Sequence, residues 1–305
     1  HMEYVLRTNN LSKHYGQFKA LNGLTINVPK GAIYGFVGKN GAGKTTLIRL
    51  ICGLQYPSSG DYTLYTKQNH EKGFDKIRRR MGAVVETPSI YLEMSAEENL
   101  KQQFCILGMP SFDGLKDILE LVGLSHTGKK KAKNFSLGMR QRLGIAIALA
   151  GHPDFLILDE PINGLDPQGI IEMRELILKL NHEQQITVFI SSHILDELSK
   201  LATHYGFIDN GCIVKEISSE ELQMACRKCI HIKVSNTKAL AQILDQMKLE
   251  YKILSETEAD IYAKVQVSQL ALALDKVNCT IVSMQENDEN LESYYIELIG
   301  GHKNV

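Results

Sequence analysis

Eight consecutive residues, Gly38-Lys39-Asn40-Gly41-Ala42-Gly43-Lys44-Thr45, carry the first legible chemistry of the chain. Glycines at the first and sixth places, followed by lysine and a hydroxyl residue, fit the spacing G-x-x-x-x-G-K-[ST]. Glycine lets successive backbone N–H groups turn inward around a polyphosphate. The apolar run Ile33–Val37 leads straight into the octet, and Thr46-Leu47-Ile48-Arg49-Leu50 leaves it as the start of a helix. That helix N-terminus points free N–H groups and a positive dipole end at the same anion. Lys44 is expected to reach the β- and γ-phosphates as a point charge, and the Thr45 hydroxyl to ligate Mg2+. The expected ligand is Mg-ATP, held by residues 38–46.

A second segment, Phe155-Leu156-Ile157-Leu158-Asp159-Glu160, ends an apolar strand abruptly in two carboxylates. Burying adjacent acids is costly unless a cation compensates, so a metal-bound phosphate is their natural partner. Asp159 is expected to hold Mg2+ through water, and Glu160 to polarise the attacking water as general base. His193 follows a third apolar run through Ser191-Ser192. A lone histidine at a strand end is more often structural than catalytic. The C-terminal edges of these strands share one crevice, however, where ligands of open α/β sheets sit. On residues alone both places for His193 stay open.

These side chains need a scaffold that brings several strand ends together. Short apolar runs at 33–37, 81–85, 155–158, 186–190 and 205–208, separated by helical patterns, predict an α/β domain with a largely parallel sheet. Between about 88 and 150 the strand pattern gives way to helical segments near 96–107, 114–121 and 137–150, so a separate helical lobe is expected there. Beyond residue 216 the character changes. Ile230, Ile232 and Val234 alternate as a strand, and Leu240, Ile243, Leu244 and Met247 recur at helical spacing. Strands expected at 251–254, 261–267 and 280–284, with helices around 270–274 and 291–299, complete a βαββαβ order. That order predicts a small α+β domain of ferredoxin-like type over 217–305.

The bulk numbers set bounds on partners. The chain has 305 residues, which favours two domains, and a formal net charge of −1, which offers no global basic field to a nucleic acid. Basic runs at Arg78-Arg79-Arg80 and Lys129-Lys130-Lys131 read as solvated faces. Six cysteines lack a disulfide framework's spacing, and the single C-x-x-C of Cys226 and Cys229 reads as two ordinary thiols in a reducing compartment. No apolar run approaches the roughly 18 residues needed to cross a bilayer.

The remaining motifs carry a family resemblance. Asn134-Phe135-Ser136-Leu137-Gly138-Met139-Arg140-Gln141-Arg142, placed ahead of the 155–160 segment, resembles the signature segment of ABC-type ATPases. Asn163-Gly164-Leu165-Asp166-Pro167 resembles their D-loop, and His193 falls where their switch histidine falls. Tyr15, 23 positions before Gly38, looks like the aromatic that stacks on adenine. The resemblance covers residues 3–216. It implies an ABC ATP-binding domain with a helical subdomain, a γ-phosphate contact for His193, and a nucleotide role for Asp166. It also implies a homodimer. Ser136 opens a helix whose N-terminal N–H groups suit an anion, and the resemblance puts Ser136 and Gly138 on the γ-phosphate of a second copy. It further implies an integral-membrane permease encoded separately as partner, with the ATPase at the cytoplasmic face of the membrane.

Two departures narrow the group. Leu137 takes a position that is usually glycine in the signature, and Glu86, in Glu86-Thr87-Pro88, stands where a glutamine usually faces Mg2+. Both features, with the short C-terminal domain, resemble ATPase subunits of bacterial exporters for bacitracin and lantibiotics. Glu86 is accordingly expected among the metal ligands with Thr45 and Asp159. Export of a different substrate, such as a lipid or drug, is the alternative, followed by a soluble ABC ATPase that serves no transporter.

Overall fold

The computed structural model describes residues 3–226, 228–287 and 291–302. The chain divides into two compact units, one made of the chain up to Ser219 together with its end from Gly301, and one running from Glu220 to Gly300.

The first unit opens with an antiparallel layer of β1 (Tyr4–Tyr15), β2 (Phe18–Leu24) and β3 (Asn27–Pro29). β4 (Ile33–Val37) then runs into α1 (Lys44–Ile51), and the chain returns to the first layer as β5 (Ser59–Leu64) and β6 (Lys67–Gln68). The order there is β2-β1-β5-β6, with β3 also paired to β1. Reading the sequence as largely parallel α/β misses this layer. Along β1 polar residues break the alternation, and register shifts between Leu11 and His14 move side chains from one face to the other.

After α2 (Phe74–Arg78) and β7 (Met81–Val84) the chain leaves the sheet for three helices. These are α3 (Ala96–Ile106), α4 (Leu115–Leu121) and α5 (Leu137–Leu149). A capping box starts α3: the Ser95 side chain accepts from Glu98 N, and Glu98 in turn accepts from Ser95 N. Next come β8 (Phe155–Asp159), α6 (Pro167–His182), β9 (Thr187–Ser192), α7 (Leu195–Leu198), β10 (His204–Asp209) and β11 (Cys212–Ser218). The second sheet has the order β11-β10-β4-β9-β8-β7 and is parallel except for the β10–β11 hairpin. Every residue of β4, β8 and β9 is buried, as expected of a parallel sheet covered on both faces. Phe189 anchors the centre, its ring 5.5 Å from Tyr34 in a stacked pair and 5.3 Å from Phe36.

The second unit comprises α8 (Ser219–Ala225), β12 (Cys229–Val234), α9 (Thr237–Gln246), β13 (Tyr251–Ile253), β14 (Glu258–Ile261), α10 (Val267–Asp275), β15 (Ile281–Asn287) and α11 (Leu291–His302). Its four strands form an antiparallel sheet ordered β13-β14-β12-β15. Ile232, Leu240, Leu244, Ala259, Ile261, Leu270 and Leu274 build a separate core. The strand expected at 261–267 ends at Ile261, and α10 begins at Val267. The true alternation runs through Ala259 and Ile261, where a small alanine hides the pattern.

Candidate active site

The loop from Gly38 to Gly43 links β4 to α1, and three constraints hold it. A Cβ on Gly38 would meet Ile208 Cγ2 at 2.6 Å, so the loop lies hard against β10. Gly43 caps α1 at φ +112°, and a Cβ there would meet Ala20 O at 2.7 Å. Ala42 N donates to Lys39 O at 3.0 Å, and Ala42 O accepts from Gly211 N at 2.9 Å. No acidic side chain occupies the first turn of α1, so its N–H groups remain suited to an anion. Asn40 and Gly41 lie on the exposed rim, and Thr46 lies within the first turn of α1.

Three strand ends converge on this loop. Asp159, 3% exposed, ends β8 and accepts twice: Thr45 Oγ1 donates to Oδ2 at 2.9 Å and Ser191 Oγ to Oδ1 at 2.6 Å. Glu160 follows with left-handed φ (+51°), its N–H directed at Ser191 Oγ, 3.0 Å. This turn sends its side chain back over the loop. Glu160 Oε2 lies 2.9 Å from His193 Nδ1, and Oε1 lies 3.1 Å from Lys44 Nζ. Lys44 itself is 5% exposed and donates to Gly38 O at 2.5 Å and Lys39 O at 3.2 Å. The Lys44–Glu160 approach is an ion pair without hydrogen-bond alignment, so Oε1 is buried with no hydrogen-bond donor. A buried carboxylate oxygen with spare acceptor capacity suits a proton to be taken from water. A buried Asp159 beside a threonine hydroxyl suits a hard cation that prefers oxygen. The donor set therefore fits Mg-ATP.

The other expected site residues fall into separate groups. Tyr15 ends β1 with its ring 43% exposed, its hydroxyl on Gln55 Oε1 and Lys13 Nζ 5.4 Å from the ring centre. Ser136 caps α5, accepting from Met139 N at 3.2 Å, and Asp166 caps α6, accepting from Gly169 N at 3.1 Å. The two caps belong to adjoining surfaces, since a Cβ on Gly138 would lie 3.8 Å from Leu165 Cδ2 and one on Gly164 would lie 3.3 Å from Leu137 Cδ2. Glu86 is the third of the expected metal ligands. Its carboxylate lies on the Arg49 guanidinium, while Thr45 and Asp159 pair with each other. Arg49 sits one turn along α1 from Thr45. Ser191 and Arg49 are the residues that motif reading passes over. A trace of Ser191 is present in the sequence as two serines closing an otherwise apolar strand.

This loop, with acids from the next strands and a hydroxyl on the metal side, is the arrangement of P-loop nucleoside triphosphatases. The helical lobe between β7 and β8 defines a narrower class. A profile of the ABC transporter family matches residues 21–163. The bacitracin transport ATP-binding protein BcrA of Bacillus licheniformis is 40% identical over 303 residues, covering 98% of this chain and 99% of the relative. The lantibiotic transport ATP-binding protein SrtF of Streptococcus pyogenes is 43% identical over 212 residues, covering 70% and 90% respectively. Among solved structures, cbiO1 of Clostridium perfringens, part of the ABC transporter complex cbiONQ, superposes with a TM-score of 0.66 at 26% identity over 81% of this chain and 99% of that one. The chain belongs to the ABC transporter family as an ATP-binding subunit that hydrolyses ATP to drive transport.

Proposed function

We propose that this protein is the ATPase of an exporter that removes bacitracin- or lantibiotic-type peptides and so confers resistance to them. Similarity to BcrA along 98% of the chain, C-terminal unit included, carries the reading. Residues 3–216 form its ATP-binding domain, with a helical subdomain at about 88–150. Residues 217–305 form an accessory domain of ferredoxin-like class, which the β13-β14-β12-β15 order supports. A separate membrane permease provides the path for the peptide, with this protein at the cytoplasmic face. Among the described residues no helix is long and apolar enough to cross a membrane.

Within the site, Tyr15 stacks on adenine, residues 38–46 wrap the phosphates, and Lys44 leaves Glu160 for the β- and γ-phosphates. Thr45 and Asp159 would hold Mg2+, which would neutralise charge on the phosphate oxygens. Water oxygen attacks the γ-phosphorus, the bond to the ADP oxygen breaks, and Glu160 takes the water's proton. His193 holds the other oxygen of Glu160 and turns toward the γ-phosphate. Ser136, Gly138 and Asp166 complete the site of a second copy, so two protomers close around two ATP. Exposed N-terminal turns of α5 and α6, each capped by its own side chain, support that role.

The test is peptide susceptibility of a deletion strain complemented with wild type or Glu160→Gln, paired with ATPase assays of the protein co-purified with its permease. Wild type should restore resistance, the variant should not, and bacitracin or a lantibiotic should stimulate hydrolysis. Unchanged susceptibility alongside intact ATPase would assign the transporter to another substrate.

A further inference from the structure

Helix α1 carries two cations, and each lies on a glutamate that follows a neighbouring strand. Lys44 opens the helix and faces Glu160, whereas Arg49, in the last turn, pairs with Glu86. β7 and β8 run parallel with Val84 opposite Leu158, so counting two residues further brings Glu86 level with Glu160. Both glutamates have left-handed φ, +59° and +51°. Neighbouring strands lie about 4.8 Å apart. The two acids thus leave the sheet side by side with the same backbone turn, and α1 neutralises both.

Thr45 and Arg49 are four residues apart, hence on one face of α1 and about 6 Å apart along its axis. Arg49, which holds the Glu86 carboxylate, therefore stands one helical turn from Thr45. The side chains of Arg49 and Glu86 are 36% and 54% exposed. Solvent screens such a pair, and it contributes no more than about fivefold to an equilibrium it enters. A contact that weak exchanges readily for another cation.

We propose that Arg49 is a positioning residue for the metal nucleotide: it competes with Mg2+ for Glu86 and thereby sets the Mg2+ concentration at which nucleotide binding saturates. The inference rests on the reading of Thr45 and Asp159 as the Mg2+ site. Glu86 has one charge and two cations within a helical turn, and a carboxylate held by Arg49 is withheld from the metal. Removing the guanidinium releases it. The positive charge of Arg49 also repels Mg2+ without any help from Glu86, and a double-mutant cycle separates the two effects.

The experiment is equilibrium binding of adenylyl imidodiphosphate to the full-length protein, titrated with Mg2+. The proteins compared are wild type, Arg49→Gln, Arg49→Lys, Glu86→Gln and the combination of Arg49→Gln with Glu86→Gln. Arg49→Gln should lower the half-saturating Mg2+ concentration about two- to fivefold. Arg49→Lys should stay near wild type, and Arg49→Gln should shift the midpoint less once Glu86 is glutamine, because only the direct repulsion is then left to remove. An equal shift in both backgrounds, or none in either, overturns the inference. A wild type whose nucleotide binding ignores Mg2+ overturns the metal reading and this one together. A Mg2+-responsive wild type with inert Arg49 variants overturns this one alone.

Discussion

Glu160 has three neighbours with three different duties: Lys44 on one oxygen, His193 on the other, and Ser191 beneath its backbone N–H. Substituting glutamine keeps the shape and removes the carboxylate proposed as the base. Turnover of Glu160→Gln should fall about 10²–10⁴-fold, the usual worth of a positioned general base. Nucleotide affinity should hold or tighten, because Lys44 retains Gly38 O and Lys39 O but no longer faces a rival carboxylate. Single-turnover hydrolysis beside nucleotide binding checks both halves, and wild-type turnover would remove Glu160 from the role. The motif residues of this cluster were legible because phosphate chemistry demands fixed types at fixed spacing. Ser191 and Arg49 were not, since each acts through a partner 32 or 37 positions away that spacing does not reveal.

Among the elements, α5 and the loop after Glu86 approach closely at Gly144. A Cβ on Gly144 of α5 would lie 2.6 Å from Pro88 Cβ, two residues beyond Glu86. Glycine inside a helix lowers its intrinsic stability, and here the gain is close approach of the loop. Gly144→Ala must displace Pro88 or α5, at a cost of about 1–3 kcal/mol for an overpacked site. The expected result is a melting temperature lower by roughly 2–10 °C, scaled for a unit of this size. A calorimetric scan decides it, and an unchanged transition would mean that the loop gives way freely. The sequence showed the helix but not why position 144 is glycine, because the reason lies across a loop. The antiparallel layer was hidden for a related reason: irregular register in β1 breaks the period that would have announced it.

At the scale of the molecule, the last strand of the first unit is paired to β10 and tied further by one acid. Tyr34 Oη donates to Glu216 Oε1 at 2.7 Å, and Asn27 N donates to the same oxygen at 2.9 Å, joining β11 to β4 and β3. Burial, reinforced by Glu216, pushes the Tyr34 hydroxyl well above its ordinary pKa, so it stays a neutral donor. Cutting the chain after Ser219 keeps this fastening, and nucleotide affinity should remain nearly that of the whole protein. Cutting after Lys215 orphans the buried hydroxyl at a cost of about 1–3 kcal/mol and removes half of β11. The shorter truncation should melt several degrees below the longer one. Equal melting temperatures would show that Glu216 does not hold the strand, and a large loss of nucleotide affinity in the longer one would show that the second unit contributes to the site.

The matched left-handed turns at Glu86 and Glu160 also bear on how this protein can be engineered. A side chain in that region costs about 1–2 kcal/mol relative to glycine, so both positions store instability beside the phosphates. Selection for heat tolerance alone rewards glycine or asparagine at both turns. The proteins so obtained would be sturdier and would keep the phosphate loop, yet they would lack the two carboxylates set against Lys44 and Arg49. Screening for endurance in this chain must therefore carry a turnover assay, or it will converge on binding proteins.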